Sequence, residues 1–117
     1  MRILHCSDFH GYTEWFNWLA ESSADYDLVC LTGDHLDLLN LNWINSQLST
    51  VKATLGRVAV PLALCSGNND SFSGPPAPAN LQHATWLTEL RRPGLWVDGD
   101  GFRRAVLVVG SICESDW

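Results

Sequence analysis

The sequence predicts an α/β fold, a mostly parallel sheet with flanking helices. Three observations carry this expectation. Runs that are apolar on both faces recur at residues 2–6, 28–32 and 58–65, as in parallel strands buried on both sides. Stretches with helical apolar spacing separate the runs, and strands alternating with helices imply right-handed crossovers. Each run then ends in a polar, glycine-bearing turn: Ser7-Asp8-Phe9-His10-Gly11, Gly33-Asp34-His35-Leu36-Asp37 and Gly67-Asn68-Asn69-Asp70.

The elements follow in order. Residues 2–6 form the first strand. Thr13 is the expected N-cap of a helix running to Ser22, with Trp15, Leu19 and Trp18 on its apolar stripe. Residues 28–32 form the second strand. Leu41, Ile44, Leu48, Val51 and Leu55 recur at three- and four-residue steps, which predicts a helix over residues 38–55 stopped by Gly56. Residues 58–65 form the third strand, against which Pro61 counts because proline donates no ladder bond. Gly74, Pro75, Pro76 and Pro78 mark residues 71–79 as an irregular loop. Asn80 is placed to cap a short helix to Leu90. Residues 95–97 and 105–109 read as a hairpin joined through Asp98-Gly99-Asp100-Gly101.

Composition narrows the function classes. A chain of 117 residues fits one domain, on a prior of about 100–200 residues each. Charged residues make up 17% against a usual ~25%, and hydrophobic ones 46%, which supports a packed core over disorder. The net charge of −6 lacks the basic footprint of a general nucleic-acid binder. Phosphate esters stay open, because bound cations add positive charge that this count omits. Cys6, Cys30, Cys65 and Cys113 form no C-x-x-C pair, so zinc-ribbon and thioredoxin readings have no support. The first three lie in apolar runs and read as reduced core residues of a cytoplasmic protein. No signal-peptide segment opens the chain, and no apolar run approaches the ~18 residues of a membrane span.

The three turns carry the chemistry. In parallel α/β sheets, ligands bind outside the carboxyl ends of the strands, where all three turns fall. Side chains at i and i+2 of an extended chain point to one side. Asp8 and His10 are therefore expected to close on one cation while Phe9 packs the other way. Asp34 has two carboxylate oxygens with which to bridge two cations, and Asn68 offers a carbonyl oxygen to the second. Oxygen and imidazole donors suit Mn, Fe, Zn or Co. Two such ions about 3.5–4 Å apart polarise a phosphoryl group and lower the pKa of a bridging water. Any one of these motifs alone is commonly a polar loop or a helix cap; the three at successive strand ends are what point to a metal cluster. A nucleotide-binding doubly wound domain fits worse. Its first turn is a glycine-rich phosphate cradle, and Asp8 would repel phosphate there.

This motif set resembles the calcineurin-like metallophosphoesterases, whose pattern runs D-x-H, G-D-x-x-D, G-N-H-[DE], a lone His and G-H-x-H. The resemblance covers residues 1–70, and residues 95–111 are similar to the hairpin that opens the family's second half. It implies the first half of a four-layer αββα fold. It also implies a hydrolase that cleaves phosphomonoesters or phosphodiesters through a hydroxide bridging two divalent metal ions. By the resemblance Asp8 and His10 bind the first metal, Asp34 bridges, and Asn68 binds the second. Asp37 would orient the residue at position 69.

Two departures modify that expectation. Asn69 stands where the family has a histidine that protonates the leaving group or holds the phosphate. A carboxamide donates a hydrogen bond but transfers no proton near pH 7. Nothing matches the lone His or the G-H-x-H; His5, His35 and His83 read as structural or solvated. The expectation is therefore a single, truncated domain over residues 1–117, with both metals short of ligands and metal occupancy partial. One sheet face would be left uncovered, which implies a homo-oligomer through that face. The alternative is a catalytically impaired module that binds metal or self-associates.

Overall fold

A computed structural model of the chain describes residues 1–71, 79–90 and 92–98. Among these residues four strands form one sheet: β1 (Ile3–Cys6), β2 (Leu28–Thr32), β3 (Leu62–Cys65) and β4 (Leu95–Asp98). All are parallel, and they lie side by side in chain order. Helix α1 (Thr13–Ser22) connects β1 to β2, and α2 (Ile44–Leu55) connects β2 to β3. Short 3-10 segments lie at Ser23–Asp25, Leu38–Trp43 and Ala79–Leu90. The α/β class and the parallel sheet are as the sequence predicts.

Register decides the two faces of the sheet. Leu4, Val29, Leu62 and Leu95 share one row, and Cys6, Leu31, Leu64 and Val97 the next row on that face. These rows meet Phe16 and Leu19 of α1, Leu48, Val51 and Leu55 of α2, and Trp86 of the last 3-10 segment in one core. Each large apolar side chain buried there contributes roughly 1.5–3 kcal/mol. Strands in chain order, joined by crossovers of one hand, place their helices on one face, and α1 packs against α2. The intervening row, His5, Cys30, Ala63 and Trp96, faces the other way. Trp96 is exposed there, and His5 is partly exposed and partly covered.

Several local expectations are corrected. Tyr12, not Thr13, is the N-cap of α1, and no side chain caps the helix. The buried stripe of α1 is Phe16, Leu19 and Ala20, whereas Trp15 and Trp18 are 52% and 42% exposed. The reason is Phe9, whose buried ring meets Phe16 edge-on at 4.9 Å and so selects the inward face of the helix.

The helix expected over residues 38–55 starts only at Ile44, after a 3-10 segment kinked at Asn40. Asp37 is the cause: its carboxylate accepts from the Leu39 amide at 3.0 Å and from the Asn40 side chain. Such side-chain bonds offer the backbone an alternative to helix. Gly56 does follow the last helical residue, but in right-handed conformation, φ −62°.

The third strand is shorter than expected, because Pro61 ends up just outside it. Its carbonyl still accepts from Val29 N–H at 3.0 Å. The first arm of the expected hairpin is β4, paired in parallel with β3. The proposed second arm, residues 105–109, and most of the proline loop lie outside the described residues. Among the described residues no helix is long and apolar enough to cross a membrane.

Candidate metal centre

β1 ends at Cys6, and the chain then turns instead of continuing extended. Asp8 and His10 have φ of +59° and +47°, the left-handed region that few non-glycine residues adopt. The expected reason for their convergence, strand alternation, is therefore wrong although the convergence itself is found. What holds the turn is a ladder to the loop after β2. Asp8 N–H donates to Gly33 O at 3.1 Å, His10 N–H to Asp34 O at 2.9 Å, and Gly11 N–H to His35 O at 2.7 Å. Phe9, between the two polar side chains, is buried in the core and pins the turn from below.

The partner loop is bent the same way, with Gly33 at φ +88° and Asp34 at φ +52°. Strain of about 1–3 kcal/mol per such residue persists only where the surroundings impose it, and it concentrates at functional sites. Three of the strained residues, Asp8, His10 and Asp34, place one donor atom each within 4.8 Å of one another. His10 Nε2 lies 3.7 Å from Asp8 Oδ1, and Ser7 Oγ–H donates to Asp8 Oδ2 at 2.5 Å. Two carboxylates and an imidazole form a donor set suited to a divalent transition metal. Ligand bonds there run to roughly 2.0–2.2 Å, so small side-chain movements would close the three donors on one ion.

Asp34 is also engaged from the other side. Asn69 donates its backbone N–H to Oδ1 at 2.9 Å and its Nδ2–H to Oδ2 at 3.3 Å. Asn68 is exposed on the same turn, which closes through Asp70 N–H to Gly67 O at 3.3 Å. The structure thus brings together Asp8, His10, Asp34 and Asn69, with Asn68 on the adjoining turn.

Asp37 stands apart. Its carboxylate is taken by Leu39 and Asn40, and Gln47 bonds its backbone N–H at 2.8 Å and its carbonyl at 3.0 Å. The sequence resemblance assigns Asp37 to orient position 69; among the described residues its carboxylate bonds within its own loop, and the hydrogen bonds of Asn69 go to Asp34. His5 points to the sheet face opposite the helices, where its Nε2 meets Thr32 Oγ1 at 2.7 Å. Burial lowers the pKa of His5 and raises those of the Cys6 and Cys30 thiols, away from thiolate chemistry.

Sequence reasoning left His35 as either structural or solvated and gave Asp70 no role of its own; both are fully inaccessible. A carboxylate only accepts, so His35 Nδ1–H donates to Asp70 Oδ2, at 2.6 Å. The signal was present as an acid ending the third turn and an imidazole following Asp34. Each looked like an ordinary loop residue by itself.

Two carboxylates and an imidazole, with Asp8 and His10 exposed, thus stand at the carboxyl edge of a parallel α/β sheet, a donor set suited to a divalent cation. The model of the calcineurin-like phosphoesterase family matches residues 1–112, and the chain belongs to that family. At the level of the family it is a metal-dependent phosphoesterase. No curated protein matches the chain in sequence.

Proposed function

We propose that the chain hydrolyses phosphomonoesters or phosphodiesters that carry good leaving groups. Asp8, His10 and Asp34 hold one divalent cation in this reading, and Asn68 serves a second. The observation that supports it is the convergence of Asp8, His10 and Asp34 within 4.8 Å on strained backbone at the strand ends. A cation bound there would polarise a phosphoryl oxygen and lower the pKa of water at the site.

The chain's own groups supply the rest. Asp8 and His10 have side chains 64% and 46% exposed, open to a ligand arriving from solvent. Each oxygen of Asp34 accepts one hydrogen bond from Asn69 and keeps a second acceptor position, so metal binding and the Asn69 contact are compatible. Asn69 offers an N–H to a phosphoryl oxygen. With no proton donor at that position, the leaving group departs as its own anion. Aryl esters are then favoured over alkyl esters.

The test is Mn-dependent release of nitrophenolate from an aryl phosphomonoester and an aryl phosphodiester. Turnover lost in Asp34→Asn, with alkyl esters gained in Asn69→His, is the expected result. A wild-type protein that binds the metal yet turns over neither ester would sink the hydrolase reading.

A second reading has one observation in its favour. Among the described residues, the His, Cys, Asp and Glu side chains converge in one group of three, enough for a single cation. A module that binds one ion without turnover would show one metal equivalent per chain, where the hydrolase site should show two.

A further inference from the structure

Asp70 gathers donors from two loops into one buried carboxylate. Oδ2 accepts from His35 Nδ1–H at 2.6 Å and from Gly67 N–H at 2.8 Å. Oδ1 accepts from Leu36 N–H at 3.0 Å. The Asp70 carbonyl accepts from Trp86 Nε1–H at 2.9 Å, and the Trp86 ring stands edge-on to His35 at 5.6 Å. One acid thus closes its own turn, Gly67 to Asp70, and ties that turn to the residues directly after Asp34. His35 and Asp70 are both at 0% exposure and lie outside the donor cluster.

The consequence falls on Asp34. The turn that Asp70 closes presents the Asn69 amide to Asp34 Oδ1 and sets the Gly67 backbone against the same carboxylate. Removing the Asp70 bonds would release that turn and, with it, the orientation of Asp34. Among the described residues His35 Nε2 has no hydrogen-bond partner.

We infer that His35 and Asp70 are a positioning pair that sets the metal-binding orientation of Asp34, without either residue contacting the ion. The inference rests on the proposed metal site. Outer residues that orient ligands typically change metal affinity by about 10–100-fold when removed.

The experiment compares four variants of the full chain by Co²⁺ titration, followed by visible absorption, and by hydrogen exchange of the Asn69 amide in the metal-free protein. Asp70→Asn and His35→Leu remove the link. His35→Asn retains a donor at the Nδ1 position. Val51→Ala is the control for loss of core stability alone, since Val51 is a buried residue of α2.

The expected result is Co²⁺ affinity reduced about 10–100-fold in Asp70→Asn and His35→Leu, with an altered absorption band. Affinity should be retained within a few-fold in His35→Asn and Val51→Ala. Asn69 exchange should accelerate about tenfold in the first two variants only. If Asp70→Asn does not fold, the contrast between His35→Asn and His35→Leu decides. The inference is overturned if the unlinked variants match Val51→Ala in both measurements, or if His35→Asn behaves like His35→Leu. A wild type that binds no Co²⁺ would overturn the metal site itself, and Asn69 exchange would still decide the positioning.

Discussion

Gly67 and Asp34 are in such close contact that a Cβ added to Gly67 would lie 2.2 Å from Asp34 Oδ1 and 2.4 Å from the Asp34 backbone nitrogen. Backbone cannot give way as a flexible side-chain end can, so the two loops would have to part. Overpacking of this kind costs about 1–3 kcal/mol. Gly67→Ala should therefore lower stability by that order in urea unfolding, and weaken metal binding as well. An alanine variant with wild-type stability and wild-type affinity would contradict the close packing.

His10 gives a case where stability and binding should move in opposite directions. It sits at φ +47°, where glycine is at ease and a residue with a Cβ is strained by roughly 1–2 kcal/mol. His10→Gly should exceed His10→Ala in stability by about 1 kcal/mol, while both lose metal affinity. The check is thermal unfolding of the metal-free variants, beside a metal titration of each. Equal melting temperatures for the two would show that the left-handed turn is not retained in solution.

The faces of α1 make a third test. Phe16 is 1% exposed, against 52% for Trp15 and 42% for Trp18. Phe16→Ala should cost about 3–5 kcal/mol. Trp15→Ala and Trp18→Ala, half-exposed and packed edge-on to each other, should cost less, about 1 kcal/mol each. Tryptophan substitutions as damaging as Phe16→Ala would mean that the outer face is covered by something beyond the described residues.

His5 predicts a pH effect with a defined sign. Burial disfavours its imidazolium and lowers its pKa from the ordinary 6.5. Between the folded value and 6.5, the unfolded chain binds the additional proton, so stability rises with pH in that window. The contribution is whole above pH 6.5 and is lost as pH falls toward the folded-state pKa. His5→Gln, able to stay near Thr32 Oγ1, should flatten the stability profile on the acidic side. The difference between wild-type and variant melting temperatures from pH 7 to pH 5 measures it. A difference that does not change with pH would remove His5 as the cause.

What was legible in the sequence was local. Apolar runs ending in glycine-bearing turns mark strand ends, and parallel α/β topology carries strand ends to one edge of the sheet. Those two facts were enough to place Asp8, His10 and Asp34 near one another. Helix periodicity found the Leu48, Val51 and Leu55 stripe for the same reason, since neighbours three or four apart share a face.

What needed the fold was anything decided by partners far away in the chain. The apolar stripe of α1 rotated onto Phe16 because the Phe9 ring reached it across the loop. The family resemblance makes Asp37 a partner for position 69, yet its carboxylate accepts from Leu39 and Asn40 of its own loop. The link from His35 to Asp70 spans 35 positions, and neither residue differs in kind from a solvated loop residue until the interior closes over both. By itself the sequence determined which residues stand at the strand ends, because strand and turn signals act over a few residues. Only the tertiary structure decided how they are aimed, because left-handed turns and a buried carboxylate are stable just where distant segments supply their hydrogen bonds.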